Sequence, residues 1–250
     1  MTGRQPKHCL VLQLTACMIT ASATVAGATD ARQVLSGKSH GWLRAVGKLE
    51  VPGQRYRDGR QSHYVEACSG TLVARPGRSE ADIVITAWHC LEWYGDLSRP
   101  ITFTVFTVSG EPLQREAYRL QDGGGMHADW AILRLQQAVP REQAPSLPIH
   151  ERAANPELPV TMAGVSGDDG IGDSGDTLAF DPQCAITAQD TALGDTNCTA
   201  FKGASGGAVI QLSATGEARV CGVISQGNSE GRSTFVPVSS FRTALHYYLD

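Results

Sequence analysis

Gly203-Ala204-Ser205-Gly206-Gly207 runs directly into Ala208-Val209-Ile210, so a serine framed by glycines opens an apolar strand. Two further stretches precede it in the chain: Thr86-Ala87-Trp88-His89-Cys90, then Asp129-Trp130-Ala131-Ile132-Leu133. Each sets one polar residue at the border of an apolar run. A serine hydroxyl is a poor nucleophile at neutral pH until an imidazole can accept its proton. The imidazole in turn needs a buried carboxylate to hold its tautomer and stabilise its protonated form. Ser205, His89 and Asp129 are therefore the candidate nucleophile, base and orienter of an acyl transfer.

The order His…Asp…Ser, with a cysteine directly after the histidine, resembles the chymotrypsin-like (trypsin-fold) serine proteases, in particular bacterial secreted members. Subtilisins and α/β-hydrolases use other orders. The resemblance runs from about residue 42 to the C-terminus. It implies an all-β fold, two antiparallel β-barrels followed by a C-terminal helix. It implies catalytic roles for His89, Asp129 and Ser205, and an oxyanion hole formed by the N–H groups of Gly203 and Ser205. Thr199 and Ala200 are placed at the base of the primary pocket. Ser225, Gln226 and Gly227 pair with the substrate backbone like an added strand, and Ser225 supports the Asp129 carboxylate. Cys68-Ser69-Gly70-Thr71-Leu72-Val73 is similar to the family's strand stapled beside the catalytic histidine, which implies a Cys68–Cys90 bridge. Cys184 and Cys198 are expected to close a second loop upstream of Ser205. Trp88 departs from the small residue usual at its position.

Composition agrees with this reading. Hydrophobic residues at 42% and charged residues at 18% describe a globular chain rather than a disordered one. A net charge of -4 offers no basic footprint for nucleic acid. Arg4, Lys7 and His8 precede a mostly apolar stretch over 9–25, and Ala26-Gly27-Ala28 has the small-x-small pattern of an export-signal cleavage site. Residues 1–28 are read as a signal peptide, and their loss leaves a charge of -6. A membrane anchor and a lipoprotein box at Leu14-Thr15-Ala16-Cys17 are the alternatives. The expected location is secreted or periplasmic, without stable membrane association after cleavage.

Five cysteines remain beyond residue 28, an odd number. Cys221 lies in the apolar run Val220-Cys221-Gly222-Val223-Ile224 and is read as a buried free thiol, with intermolecular pairing as the alternative. No Cys-x-x-Cys or paired-His spacing suggests a metal. Asp168, Asp169, Asp173 and Asp176 do not fit an EF-hand register. No cofactor is expected. The partners are protein or peptide substrates, and the chain is expected to be a monomer.

Short β runs separated by Gly, Pro, Asp and Ser occupy 43–49, 68–73, 83–86, 101–108 and 130–135, then 160–165, 178–180, 185–187, 207–212, 220–225 and 233–238. Between them, 139–159 is rich in Pro and Ala and is taken as the crossing between two domains. The expected division is an N-terminal segment over 29–41, a first barrel over 42–145 and a second over 146–250. Phe241, Leu245 and Tyr248 recur at helical spacing after Ser239-Ser240, which can cap a helix.

Gly172-Asp173-Ser174-Gly175 imitates a nucleophile motif, but Asp176 and Thr177 come next where an apolar strand should start, so Ser174 is read as a loop residue. His127, His40, His63, His150 and His246 lack a motif context. No acid stands at Thr199 or Ala200, so the resemblance gives no trypsin-like preference for Arg or Lys. Glutamate-specific relatives carry a histidine where this chain has Ile224. A neutral pocket for small or apolar side chains is expected. Digestive members of the family pair an aspartate before the nucleophile with a new N-terminal ammonium, and here that residue is Ala204. The oxyanion loop at 202–205 is therefore expected to be held by its own packing and a Cys184–Cys198 bridge. An esterase on the same triad and a catalytically silent binding protein are the rival functions.

Overall fold

The structure, a computed structural model, describes residues 1–3, 30–37, 40–228 and 230–249. The export signal with its cleavage site near Ala28, and the Leu14–Cys17 lipoprotein box, lie outside the described residues. The elements begin with β1 (Gln33–Val34), β2 (Val46–Arg57), β3 (Arg60–Val73), β4 (Glu80–Thr86), β5 (Ile101–Phe106), β6 (Pro112–Asp122) and β7 (Ala131–Pro140). The second half carries β8 (Val160–Val165), β9 (Leu178–Cys184), β10 (Ile186–Gln189), β11 (Gly194–Thr196), β12 (Ala208–Leu212), β13 (Ala218–Asn228), β14 (Arg232–Pro237) and helix α1 (Val238–Leu249).

Strands β2-β3-β4-β7-β6-β5 close into an antiparallel barrel, with β5 returning to pair with β2. The period-2 pattern explains its core: Ile101, Phe103 and Val105 of β5 point inward while Thr102, Thr104 and Phe106 lie at intermediate depth. Leu72, Val84 and Leu133 fill the same interior, while Ile83, Ile85 and Ile132 are buried on the opposite face of the same strands. Each such side chain contributes roughly 1.5–3 kcal/mol of transfer free energy.

The other eight strands form one antiparallel sheet in the order β1-β9-β8-β12-β13-β14-β11-β10. Strands β9 and β10 stand near opposite ends of that order, yet only Ala185 separates them in the chain. One segment thus serves both ends, and the sheet must curl round on itself. The Cys184–Cys198 disulfide staples this bend, and Cys68–Cys90 ties β3 to the turn after β4. Residues 33–34 add to the second sheet through Gln33↔Phe180 and Val34↔Ala179, so the segment ahead of the first barrel packs on the second half.

Helix α1 begins at Val238, before the Ser239-Ser240 pair expected to cap it. The Ser240 hydroxyl instead donates to the Pro237 carbonyl at 2.8 Å, bonding back within the first turn. Val238, Phe241 and Leu245 form its buried stripe, and Phe241 stacks on Trp130 with ring centroids 5.0 Å apart. The helix thereby presses on the residue just after Asp129. Among the described residues no helix is long and apolar enough to cross a membrane.

Cys221 is a free thiol, 1% exposed in β13, and burial pushes its pKa up to about 12. Only the thiolate alkylates readily. Mass mapping without reduction should find the two disulfides above, with Cys221 modified only after denaturation. Rapid alkylation of Cys221 in the native protein would contradict this burial.

Candidate active site

The site lies where the two halves meet, and it is built from strand ends. Strand β4 stops at Thr86, Ala87 stays extended, and a tight helical turn over Trp88–Leu91 comes next. That turn directs both the backbone N–H and the ring of His89 at one carboxylate. The N–H donates to Asp129 Oδ1 at 2.9 Å, and Nδ1 lies 2.8 Å from Asp129 Oδ2. Asp129 itself precedes β7 and is fully buried. Its position is pinned by the Trp130–Phe241 stack and by the Gly123 N–H on the Trp130 carbonyl at 3.0 Å.

A third donor reaches the same carboxylate. Ser225 Oγ donates to Asp129 Oδ2 at 2.5 Å. Ser225 can do so because β13 slips register against β14 between Ile224 and Gln226. The extra residue of such a bulge is free to re-aim its side chain. Burial disfavours the Asp129 anion, but the hydrogen bonds and charge of His89, together with Ser225, outweigh it and hold the carboxyl below its usual range. An ionised carboxylate accepts only, so in the neutral ring the proton sits on Nδ1 and Nε2 is left as an acceptor.

Ser205 is brought beside this pair by its glycine neighbours. Gly206 has φ +82°, and a Cβ there would come within 2.1 Å of Thr86 Oγ1 and 2.2 Å of the Ser69 carbonyl. Only glycine permits that approach to the turn carrying His89. The Ser205 carbonyl accepts from Ser69 N–H at 2.7 Å, and its hydroxyl donates to the Ser225 carbonyl at 3.4 Å. Ser225 thus touches both Asp129 and Ser205.

The N–H groups around Ser205 divide into two sets. Those of Ala204, Gly206 and Gly207 bond to the carbonyls of Phe201, Ile224 and Ala204 at 3.0, 2.8 and 2.9 Å. Among the described residues, those of Gly203 and Ser205 meet no protein acceptor. Gly203 has φ +97° and would place a Cβ 2.9 Å from the Val165 carbonyl. The Lys202 carbonyl accepts from Gly167 N–H at 2.7 Å. Because C=O and N–H point oppositely across a trans peptide, that bond turns the Gly203 N–H the other way.

Thr199, Ala200 and Ser225 are buried, whereas Gln226 and Gly227 are exposed. Strand β12 pairs with β13 only as far as Val223, so the edge at 225–227 faces Ser205 unpaired by β12. A cleft of about 350 Å³ opens beside Gly203, lined among others by Lys48, Glu50, Val65 and Lys202. Ser174 also borders this cleft, but its hydroxyl donates to Asp169 at 3.1 Å on an exposed turn. His127 is exposed two residues from Asp129. Cysteine sulfurs stand near His89 and near Asp181, yet all four are consumed in disulfides and offer no thiolate to a metal.

Ser69 carries no role in the sequence reading and proves central. Its hydroxyl donates to the Gly203 carbonyl at 2.8 Å and accepts from Val165 N–H at 2.8 Å, sewing the first barrel to the loop that precedes Ser205. The sequence family described as "Trypsin-like peptidase domain" matches residues 68–223. The chain belongs to the trypsin-like peptidase family. A comparison with curated proteins returned no match. A solved structure titled as a Glu endopeptidase in complex with MPD is similar at TM-score 0.62 and 17% identity, covering 90% of this chain and 99% of that one. At that identity the likeness carries the trypsin-like fold alone. Ser69 stands in the Cys68–Val73 stretch that carries the resemblance, though without a role of its own there, and Arg32 lies outside every motif that the sequence displays.

Proposed function

We propose that this trypsin-like peptidase is a secreted or periplasmic serine endopeptidase. Ser205 Oγ attacks the scissile carbonyl, His89 Nε2 takes its proton and later gives it to the leaving amine, and Asp129 orients the ring and stabilises its charged form. The N–H groups of Gly203 and Ser205 receive the developing oxyanion. The observation that carries the reading is the double grip of buried Asp129 on His89, with Ser225 shared between Asp129 and Ser205. The unpaired edge at 225–227 is the strand that a peptide backbone extends. The cleft beside Gly203 receives the leaving side of the substrate. Residues 42–145 and 146–250 are the two halves, with the reaction at their junction.

The primary pocket takes small or apolar side chains. Thr199, Ala200 and Ile224 bring no charge to it. Arg32 lines a cavity with Thr199 and Ala200, and two carboxylates, Asp30 and Asp168, neutralise it. The substrate named for the structural relative, Glu, would lack a counter-ion here. Two disulfides fit an oxidising compartment.

The test is labelling by a fluorophosphonate probe and then cleavage of a peptide library. Labelling at Ser205 and cleavage after Ala, Val or Leu are expected. Absence of labelling in folded protein would remove the enzymatic reading, and cleavage confined to Glu or to Arg and Lys would remove the neutral pocket.

A further inference from the structure

Arg32 is one of the most completely satisfied charges in the protein. Its side chain is 5% exposed. Nη1 and Nη2 donate to the two Asp168 oxygens, each at 2.9 Å, and Nη1 also donates to Ser166 Oγ at 2.8 Å. On the opposite side Nε and Nη2 donate to Asp30 at 3.0 and 2.7 Å. All five guanidinium N–H groups are thereby used. The guanidinium carbon sits 4.0 Å from the centre of the Phe201 ring, a cation–π contact. Burying a charge costs several kcal/mol unless it is paired and hydrogen-bonded, and here the partners other than neighbouring Asp30 are supplied by two segments.

Those segments flank one peptide bond. Ser166 and Asp168 are the immediate neighbours of Gly167, whose N–H holds the Lys202 carbonyl at 2.7 Å. Phe201 directly precedes Lys202. Asp168 also organises its own loop, accepting Gly172 N–H at its carboxylate (3.2 Å) and Ser174 N–H at its carbonyl (2.9 Å). Arg32 itself is carried in by β1, which adds to β9. Besides the loop's own packing and the Cys184–Cys198 bridge that the sequence leads one to expect, the Gly167 N–H thus gives the oxyanion loop a further hold. The cavity behind it, about 10 Å³, is lined by Arg32, Phe201 and Ala204 among others and has room for about one water.

We infer that Arg32 is a positioning residue for catalysis: clamped on Asp168 and Ser166 and stacked on Phe201, it fixes the Lys202–Gly203 peptide with its N–H turned toward the oxyanion. This rests on the serine-peptidase reading above. The N-terminal segment then works as a built-in strut, and competence depends on residues 30–34 being present rather than on a free terminus at a fixed place.

The experiment compares wild type, Arg32→Gln, Arg32→Lys and Asp168→Asn in the full secreted chain. Peptide turnover is normalised to sites titrated by an acylating ester. Loss of one oxyanion donor lowers rate about 10²–10³-fold, so Arg32→Gln should lose about 10²-fold in kcat with KM changed less than about threefold, since only the transition state uses that N–H. Arg32→Lys keeps the charge without the two-pronged geometry and should lose about tenfold, as should Asp168→Asn. Adding Asp168→Asn to Arg32→Gln should cost little more, because both break one network. A purely structural role would lower Tm and leave kcat per titrated site unchanged. Should Arg32→Gln not fold, Arg32→Lys and Asp168→Asn decide. Unchanged kcat in those variants, beside a normally acylating wild type, overturns the inference alone. A wild type that is not acylated at Ser205 overturns the peptidase reading and the inference with it.

Discussion

Ser205→Ala is expected to abolish fluorophosphonate labelling and to lower kcat by about 10⁶-fold, the loss seen when a triad serine is removed from a serine peptidase. The residual rate belongs to binding and the oxyanion donors, which the substitution leaves in place. The protein should still fold normally, because the Ser205 hydroxyl makes one long hydrogen bond, 3.4 Å to the Ser225 carbonyl. Ser174→Ala is the control that separates two similar tetrapeptides. Ser174 lies on an exposed turn with φ +55°, bonded to Asp169 at the border of the cleft, so fluorophosphonate labelling, which needs only the nucleophile and its activators, should change by less than about threefold. Labelling that persists in folded Ser205→Ala protein would sink the assignment of the nucleophile.

The residues downstream of each Ser-Gly motif are enough to tell the two apart in the sequence. Ser205 opens an apolar run that becomes β12, and the polar Asp176 and Thr177 after Ser174 form no strand start. Strands with strict inward alternation, such as β5, are equally legible. The strands that escape a sequence reading do so for physical reasons. Strand β6 reads Pro-Leu-Gln-Arg-Glu-Ala-Tyr-Arg-Leu-Gln-Asp, and of these only Ala117 is fully buried. Its stability comes from pairing with β5 and β7, not from its own burial. The outer part of the β2–β3 hairpin is similarly exposed. It is set by Asp58-Gly59, both at positive φ, the two-residue turn that suits strand twist. That dipeptide is a usable signal.

The site divides along the same line. His89, Asp129 and Ser205 stand in motifs because their neighbours must be small or apolar to place them. Ser69 and Arg32 act across sequence separations of 134 and 136 residues, on Gly203 and Asp168. Ser69 stands in a recognisable stretch, Cys68-Ser69-Gly70, but nothing local shows that its hydroxyl reaches Gly203. A buried arginine cannot be told from a solvated one until its partners are seen.

The same geometry makes Asp129→Asn the second large effect. Three donors converge on this carboxylate: His89 N–H on Oδ1, and the His89 ring and Ser225 hydroxyl on Oδ2. A carboxylate can accept all three, but an amide has one accepting and one donating end. The His89 backbone N–H cannot rotate away, so the amide oxygen must take the Oδ1 place. Its NH₂ then faces His89 Nδ1 and forces that nitrogen to accept. The ring proton moves to Nε2, and the base can no longer take the proton of Ser205. The wrong tautomer costs about 10⁴-fold in kcat while geometry is kept, so KM should stay nearly constant. Ser225→Ala removes only one donor to the anion, and the expected loss is roughly tenfold, the scale of one hydrogen bond to a charged group. A rotatable hydroxyl can serve either as donor or acceptor, so Ser225 should not rescue the amide. Measuring kcat and KM for both variants checks the scheme. A loss in Asp129→Asn no larger than that in Ser225→Ala would mean that His89 takes its tautomer from something other than this carboxylate.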